Sequence, residues 1–156
     1  MAKDRKTAVK SIENKSKKKK IIVATSGYFN PLHIGHLDLF KRAKQLGDQL
    51  VVIVNNDEQV RAKGSAPFIS EKERLKIIRA IKFVDKAVLS IDKDRTVKKT
   101  LAKIKPDIFA KGGDSAMENI PEIDLCRKMG TKIIIGLGRK IQSSSWLIKK
   151  AAKVKK

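Results

Sequence analysis

Only one cysteine, Cys126, occurs in the 156 residues, which excludes an internal disulfide framework and any multi-cysteine zinc site. Aromatic residues make up 4% of the chain, too few for a platform on which single-stranded nucleic acid could stack. No window approaches the roughly 18 apolar residues of a membrane span. The basic N-terminus lacks the apolar stretch of a secretory signal. These absences point to a cytoplasmic protein in a reducing compartment. Acidic residues are also scarce: 16 Asp and Glu stand against 37 Lys and Arg, for a net charge of +21.

That charge is unevenly placed. Residues 1–20 hold nine Lys or Arg and two acids, ending in the run Lys17 to Lys20. Large apolar residues are few there, so 1–20 is expected to be a basic, unstructured tail. The last residues, 151–156, form a second lysine-rich tail. Such tails suit a polyanion, and nucleic-acid binding through them is the less favoured reading beside plain solubilisation. The 41% hydrophobic content supports a globular body over 21–150, and its length suits one domain.

Within that body, short β-branched runs alternate with helical spacing. Ile21–Thr25, Leu50–Val54, Ala87–Ile91, Asp107–Ala110 and Lys132–Ile135 read as buried strands. Leu37, Phe40 and Ala43 open a helix that Gly47 closes. A polar loop is expected from Asn55 to Ile69. Ser70 and Glu73 form a capping box for a second helix with Leu75, Ile78 and Ile81 on its apolar face. Further helices are expected over Thr96–Ile104, between Pro121 and Gly130, and after Ser143. Asp92 to Thr96 are expected to cap the helix that follows them, and Trp146 to pack in the core. The alternation predicts an α/β fold: a Rossmann-like, doubly wound, five-stranded parallel sheet with helices on both faces.

In such a sheet, ligands bind beyond the carboxyl ends of the strands. Both histidines of the chain fall there, in the strand-to-helix turn Gly27-Tyr28-Phe29-Asn30-Pro31-Leu32-His33-Ile34-Gly35-His36. A helix N-terminus with free N–H groups attracts anions, and Gly35 removes a side chain where a phosphate must approach. Two imidazoles three positions apart can donate N–H groups to phosphate oxygens, where charge grows in a transition state. A structural zinc site would need a third ligand, and no metal-ligating set is assigned.

The turn resembles the GxFxPxHxGH signature of the nucleotidyltransferase superfamily, in particular its cytidylyltransferase-like members. Three further segments match in order: Glu73-Arg74, Lys111-Gly112-Gly113-Asp114 and Ser143-Ser144-Ser145. The Lys-Gly-Gly-Asp segment resembles that of the heptose-phosphate adenylyltransferase domain. The resemblance covers about Ile21 to Lys150. It implies transfer of a nucleoside monophosphate from CTP or ATP to a phosphorylated small acceptor, a polyol or sugar phosphate. Pyrophosphate leaves in line, without a covalent enzyme intermediate. It further implies His33, His36, Lys63 and Arg74 as catalytic residues. Gly27, Tyr28, Phe29, Asn30, Gly35, Lys111, Gly112, Gly113, Asp114, Arg139, Ser143, Ser144 and Ser145 are implied in binding the nucleotide. Mg²⁺ is expected on the triphosphate, and a homodimer is expected by analogy. Many cytidylyltransferase-like members carry Asp where this chain has Asn30.

His33-Ile34-Gly35-His36 also occurs in class I aminoacyl-tRNA synthetases, but the chain has no KMSKS-like segment and little room for an anticodon-binding domain. Another alternative is a catalytically idle module recruited to nucleotide or nucleic acid through its basic tails.

Overall fold

In a computed structural model, residues 18–113 and 115–154 are described. Asp114 and all but the last three residues of the expected N-terminal tail lie outside them.

The elements are β1 (Ile22–Gly27), α1 (Ile34–Lys44), β2 (Gln49–Val54), α2 (Asp57–Ala62), α3 (Glu71–Arg79), β3 (Lys86–Leu89), α4 (Lys98–Ile104), β4 (Ile108–Gly112), a 3₁₀ turn (Met117–Asn119), α5 (Ile123–Met129), β5 (Lys132–Leu137) and α6 (Ser144–Val154). The five strands run parallel in the order β3-β2-β1-β4-β5. Parallel neighbours require crossovers, and the helices supply them. The expected architecture is present.

Alternation along the strands builds two cores. Val23, Leu50, Val52, Val54 and Ala110 face Phe40 and Ala43 of α1 and Ile78 of α3. Ala24, Ile53 and Phe109 face the other way, onto Leu101 of α4 and Cys126 of α5. Because β1 to β4 is the point where strand order reverses, the loops after these two strands splay apart and leave a crevice at their carboxyl ends. The histidine turn follows β1, and Gly112-Gly113 ends β4.

Some expectations change. The stretch read as loop contains α2, capped by Asn56, whose side chain accepts the Gln59 N–H while the Gln59 side chain accepts the Asn56 N–H. This is the same reciprocal device that Ser70 and Glu73 supply to α3. Helix α1 ends at Lys44, before Gly47. Helix α6 runs on to Val154, into the segment read as a tail. Trp146 is 49% exposed rather than in the core, with the Lys140 Nζ 5.3 Å from its ring centroid. Asp92 behaves as expected and caps α4: its carboxylate accepts the Lys99 and Thr100 N–H groups at 2.8 and 3.1 Å.

Candidate active site

The two histidines close the first turn of α1 on itself. His33 is the N-cap, and its Nδ1 accepts the Gly35 N–H at 3.1 Å. His36, at the third helical position, accepts the His33 N–H on its own Nδ1 at 3.1 Å. The three-residue spacing is therefore that of a capping box, with imidazoles in place of Ser and Glu. Both Nδ1 atoms act as acceptors, so each neutral ring must carry its proton on Nε2. The rings stack with centroids 3.8 Å apart at 25°.

Two charged rings at that distance would repel each other, and the surroundings favour neutrality. Burial lowers the His36 pKa to about 3, helped by neighbouring His33 and Lys63. Burial lowers His33 as well. At neutral pH both rings are uncharged Nε2–H donors. Phe29 holds His36 from the other side, edge-on at 4.9 Å. That ring is buried and its residue adopts φ +52°, a left-handed conformation costly for a phenylalanine.

Glycine is needed twice in this turn. A Cβ on Gly35 would lie 3.0 Å from the His33 ring, so the approach it permits is that of the imidazole itself. A Cβ on Gly27 would meet the Phe29 ring at 2.7 Å.

Two cavities of about 250 Å³ each open on this turn, and His36 lines both. The first lies between the histidine turn and the ends of β4 and β5, with His33, Lys111, Gly112, Gly113 and Arg139 in its walls. The second lies toward α2, with Tyr28, Asn30, Lys63, Ser144 and Ser145 in its walls. A larger cavity of about 350 Å³ lies between β2, β3 and α4; Val51, Val88 and Ile104 line it, and it holds none of the expected site residues.

Lys63 reaches Tyr28, its Nζ 4.4 Å from the ring centroid. Lys63 is exposed, and partial desolvation by the groups around it, with the charge of Arg95 second, lowers its pKa. Lys111 donates to the Ser26 hydroxyl at 3.2 Å and lies 4.8 Å from the Phe109 ring centroid; burial lowers its pKa too. Arg139 is exposed on the rim. Ser144 and Ser145 line the second cavity, but Ser144 already donates to the Pro31 carbonyl at 2.9 Å. Ser143 is buried and serves α6, accepting the Trp146 N–H at 3.3 Å.

Arg74 is the main correction. Implied as a catalytic residue, it is 1% exposed and engaged with the protein itself. Its guanidinium donates to the carbonyls of Ile69 (3.1 Å), Tyr28 (2.7 Å) and Asn55 (2.6 Å) and to Asp57 Oδ1 (2.6 Å). Arginine suits this convergence because its planar fork presents five donors at fixed angles. It ties the histidine turn to the loops on either side of α2. Asn30 is likewise 4% exposed, with its amide bonded to backbone rather than open to a nucleotide.

Sequence reasoning missed several residues. Gln59 is fully buried and donates to the carbonyls of Asp94 (2.6 Å) and Thr96 (2.8 Å), fastening α2 to the loop after β3. Its signal was the Asn56-x-x-Gln59 capping pattern. Glu122 accepts the Val97 N–H at 3.0 Å ahead of α4, for which no local pattern existed. Among the described residues, no three His, Cys, Asp or Glu side chains converge as metal ligands. None of the described helices is long and apolar enough to cross a membrane.

A cytidylyltransferase-like family profile matches residues 24–151. The bifunctional protein HldE of Streptomyces coelicolor is 38% identical over 133 residues, 84% of this chain and 28% of that protein. The chain thus spans little more than a quarter of that relative. The FAD synthase of Thermoplasma volcanium is 36% identical over 115 residues, covering 74% of this chain and 80% of that one. Among solved structures, a lipopolysaccharide core biosynthesis protein from Thermoplasma volcanium superposes with a TM-score of 0.66 at 35% identity, over 78% of this chain and 98% of its own. A pantoate-beta-alanine ligase from Francisella tularensis, at 20% identity, shares the fold with a TM-score of 0.61, over 92% of this chain and 73% of its own.

Proposed function

The chain belongs to the cytidylyltransferase-like family of nucleotidyltransferases, and from that premise we propose that it transfers the adenylyl group of ATP to the phosphate of a small acceptor. A phosphate oxygen of the acceptor attacks the α-phosphorus. A new P–O bond forms, the bond from the α-phosphorus to the bridging oxygen breaks, and pyrophosphate leaves with that oxygen. ATP is preferred over CTP because the relatives named HldE and FAD synthase are adenylyltransferases.

The observation that carries this reading is the pair of neutral, stacked imidazoles, one of which lines both cavities. In this reading the first cavity takes the nucleotide, with Lys111, Arg139 and the Gly112-Gly113 backbone around it. The second takes the acceptor, with Lys63 as its cation, so that Tyr28, Ser144 and Ser145, implied by the resemblance for the nucleotide, serve the acceptor here instead. The His33 and His36 Nε2–H groups meet phosphate oxygens where the two substrates join. Donors already fixed by their own capping bonds need no reorganisation as charge develops, which is where such groups contribute most to rate. Lys63 sets positive charge beside the acceptor phosphate and offsets its repulsion from the phosphates of ATP. Arg74 acts behind the turn, holding the Tyr28 carbonyl.

Mg²⁺ fits as a companion of the triphosphate rather than as a resident ion. The described residues offer no cage of three ligands, and Mg²⁺ keeps waters and phosphate oxygens readily. When bound, it would neutralise phosphate charge. The reading includes a cytoplasmic setting and a homodimer, the latter testable by light scattering. An idle binding module is less well supported, since it has no need of paired imidazoles between two cavities.

The test is pyrophosphate release from ATP or CTP with Mg²⁺ and either FMN or heptose 1-phosphate. ATP-dependent release with one acceptor is the expected result. Release from CTP alone would reassign the base. Folded protein that releases none and binds neither nucleotide by calorimetry would overturn the reading.

A further inference from the structure

Asn30 sits where two segments distant in sequence meet. Its Nδ2 donates to the Ala66 carbonyl at 2.9 Å, and its Oδ1 accepts the Phe68 N–H at 2.9 Å. Neither backbone partner can change role: a carbonyl only accepts and an N–H only donates. An amide satisfies both. A carboxylate satisfies one and sets negative charge against the Ala66 oxygen.

Beyond these bonds the segment is anchored at its ends: the Ser65 N–H donates to the Val60 carbonyl at 3.2 Å, and the Ile69 carbonyl accepts from Arg74 at 3.1 Å. Residues 65–70 form no helix or strand. The Phe68 ring is 61% exposed, so no apolar burial holds it there. The segment begins with Lys63 and Ser65, both in the wall of the second cavity, opposite Tyr28. Asn30 follows Tyr28 and Phe29 in the histidine turn, so its amide joins the two walls of that cavity.

We propose that the Asn30 amide is a latch that holds residues 66–68, which continue the wall of the acceptor cavity from Ser65, against the histidine turn, a positioning role that in this chain an uncharged donor–acceptor side chain fills. The role assigned to that cavity rests on the function proposed above; the latch itself rests on the hydrogen bonds. With the latch broken, the chain beyond Ser65 loosens from the histidine turn, leaving Lys63 and Ser65 held from the α2 side alone, and acceptor binding weakens while ATP binding, in the other cavity, does not.

Asn30→Asp makes a test that a merely structural residue would not pass. Deprotonated, it breaks the Ala66 bond; protonated, its O–H restores the donor. Relative to wild type at the same pH, its KM for the acceptor, FMN or heptose 1-phosphate, is expected to rise about tenfold at pH 8, the effect of one buried hydrogen bond. That ratio should return toward one as pH falls to about 5.5, since burial keeps the carboxyl protonated to higher pH than usual. Asn30→Ala should show a raised KM whose ratio to wild type does not change with pH. The ATP dissociation constant should stay within about twofold in both variants, on the same single-bond scale.

A second readout needs no turnover. Tryptic cleavage after Arg61 and Lys63, located by mass spectrometry, should be faster in Asn30→Asp than in wild type at pH 8 and equal near pH 5.5. If the wild type turns over and Asn30→Asp shows an unchanged acceptor KM at pH 8, or a ratio that ignores pH, the latch is overturned. If the wild type turns over no acceptor, the function reading fails, and the latch then stands or falls on the cleavage ratio alone.

Discussion

Acid should unfold this protein earlier than its carboxylates alone require, and His36 is the reason. The folded ring has a pKa of about 3 against 6.5 for an ordinary histidine, chiefly because it is buried. The unfolded chain therefore takes up a proton that the folded state refuses. Stability is fully present above pH 6.5 and falls as pH drops from 6.5 toward 3. Each unit of that interval is worth about 1.36 kcal/mol, so lowering pH from 7.5 to 5 removes about 2 kcal/mol. His36→Gln is the control, because glutamine at the third helical position keeps the capping bond to the His33 N–H but does not titrate. Urea unfolding of both proteins between pH 7.5 and 5 gives the comparison. The difference in stability between wild type and variant should shift by about 2 kcal/mol against the wild type over that range. Parallel pH curves would refute the claim that His36 is held neutral, and with it the assignment of Nε2–H as an uncharged donor.

The same neutrality predicts an activity profile without a His36 limb: the ionisation that kcat/KM shows at about pH 6–6.5 should be that of the substrate phosphates, and it should keep its position in His36→Gln, measured where the fold is intact. His36→Ala should lower kcat by about a hundredfold to a thousandfold with ATP binding still measurable by calorimetry, the loss typical of one transition-state donor. Replacing Arg74 with Met leaves three carbonyls and the Asp57 carboxylate without their partner, and urea denaturation should show a loss of about 3–5 kcal/mol. Gly35→Ala places a methyl 3.0 Å from the His33 ring and should reduce turnover more than thermal stability, read by pyrophosphate release beside a melting curve.

Much of this was visible in the chain before folding. Strand and helix order follow from runs such as Leu50–Val54 and from the spacing of Leu37, Phe40 and Ala43. These are properties of neighbours in sequence, and hydrophobic burial acts on them wherever the elements dock. The Ser70–Glu73 box was legible for the same reason. So was the meeting of the two imidazoles, because His33 and His36 are near neighbours on one helical turn.

Tertiary structure alone decided what the long polar side chains do. Arg74 next to Glu73 on a helix looks like a cation waiting for phosphate. Its actual partners, Tyr28, Asn55 and Asp57, lie 46, 19 and 17 positions away and converge only when β1 and β2 pair. Asn30 meets Ala66 across 36 residues. Ser143, read with its neighbours as one phosphate motif, is drawn aside to cap α6. Trp146 stays outside because α6 buries none of its residues fully. A local pattern tells which residues can be buried or can bond. Which carbonyl or cavity each one meets depends on chain segments brought together by the sheet, and no spacing within the sequence encodes that meeting.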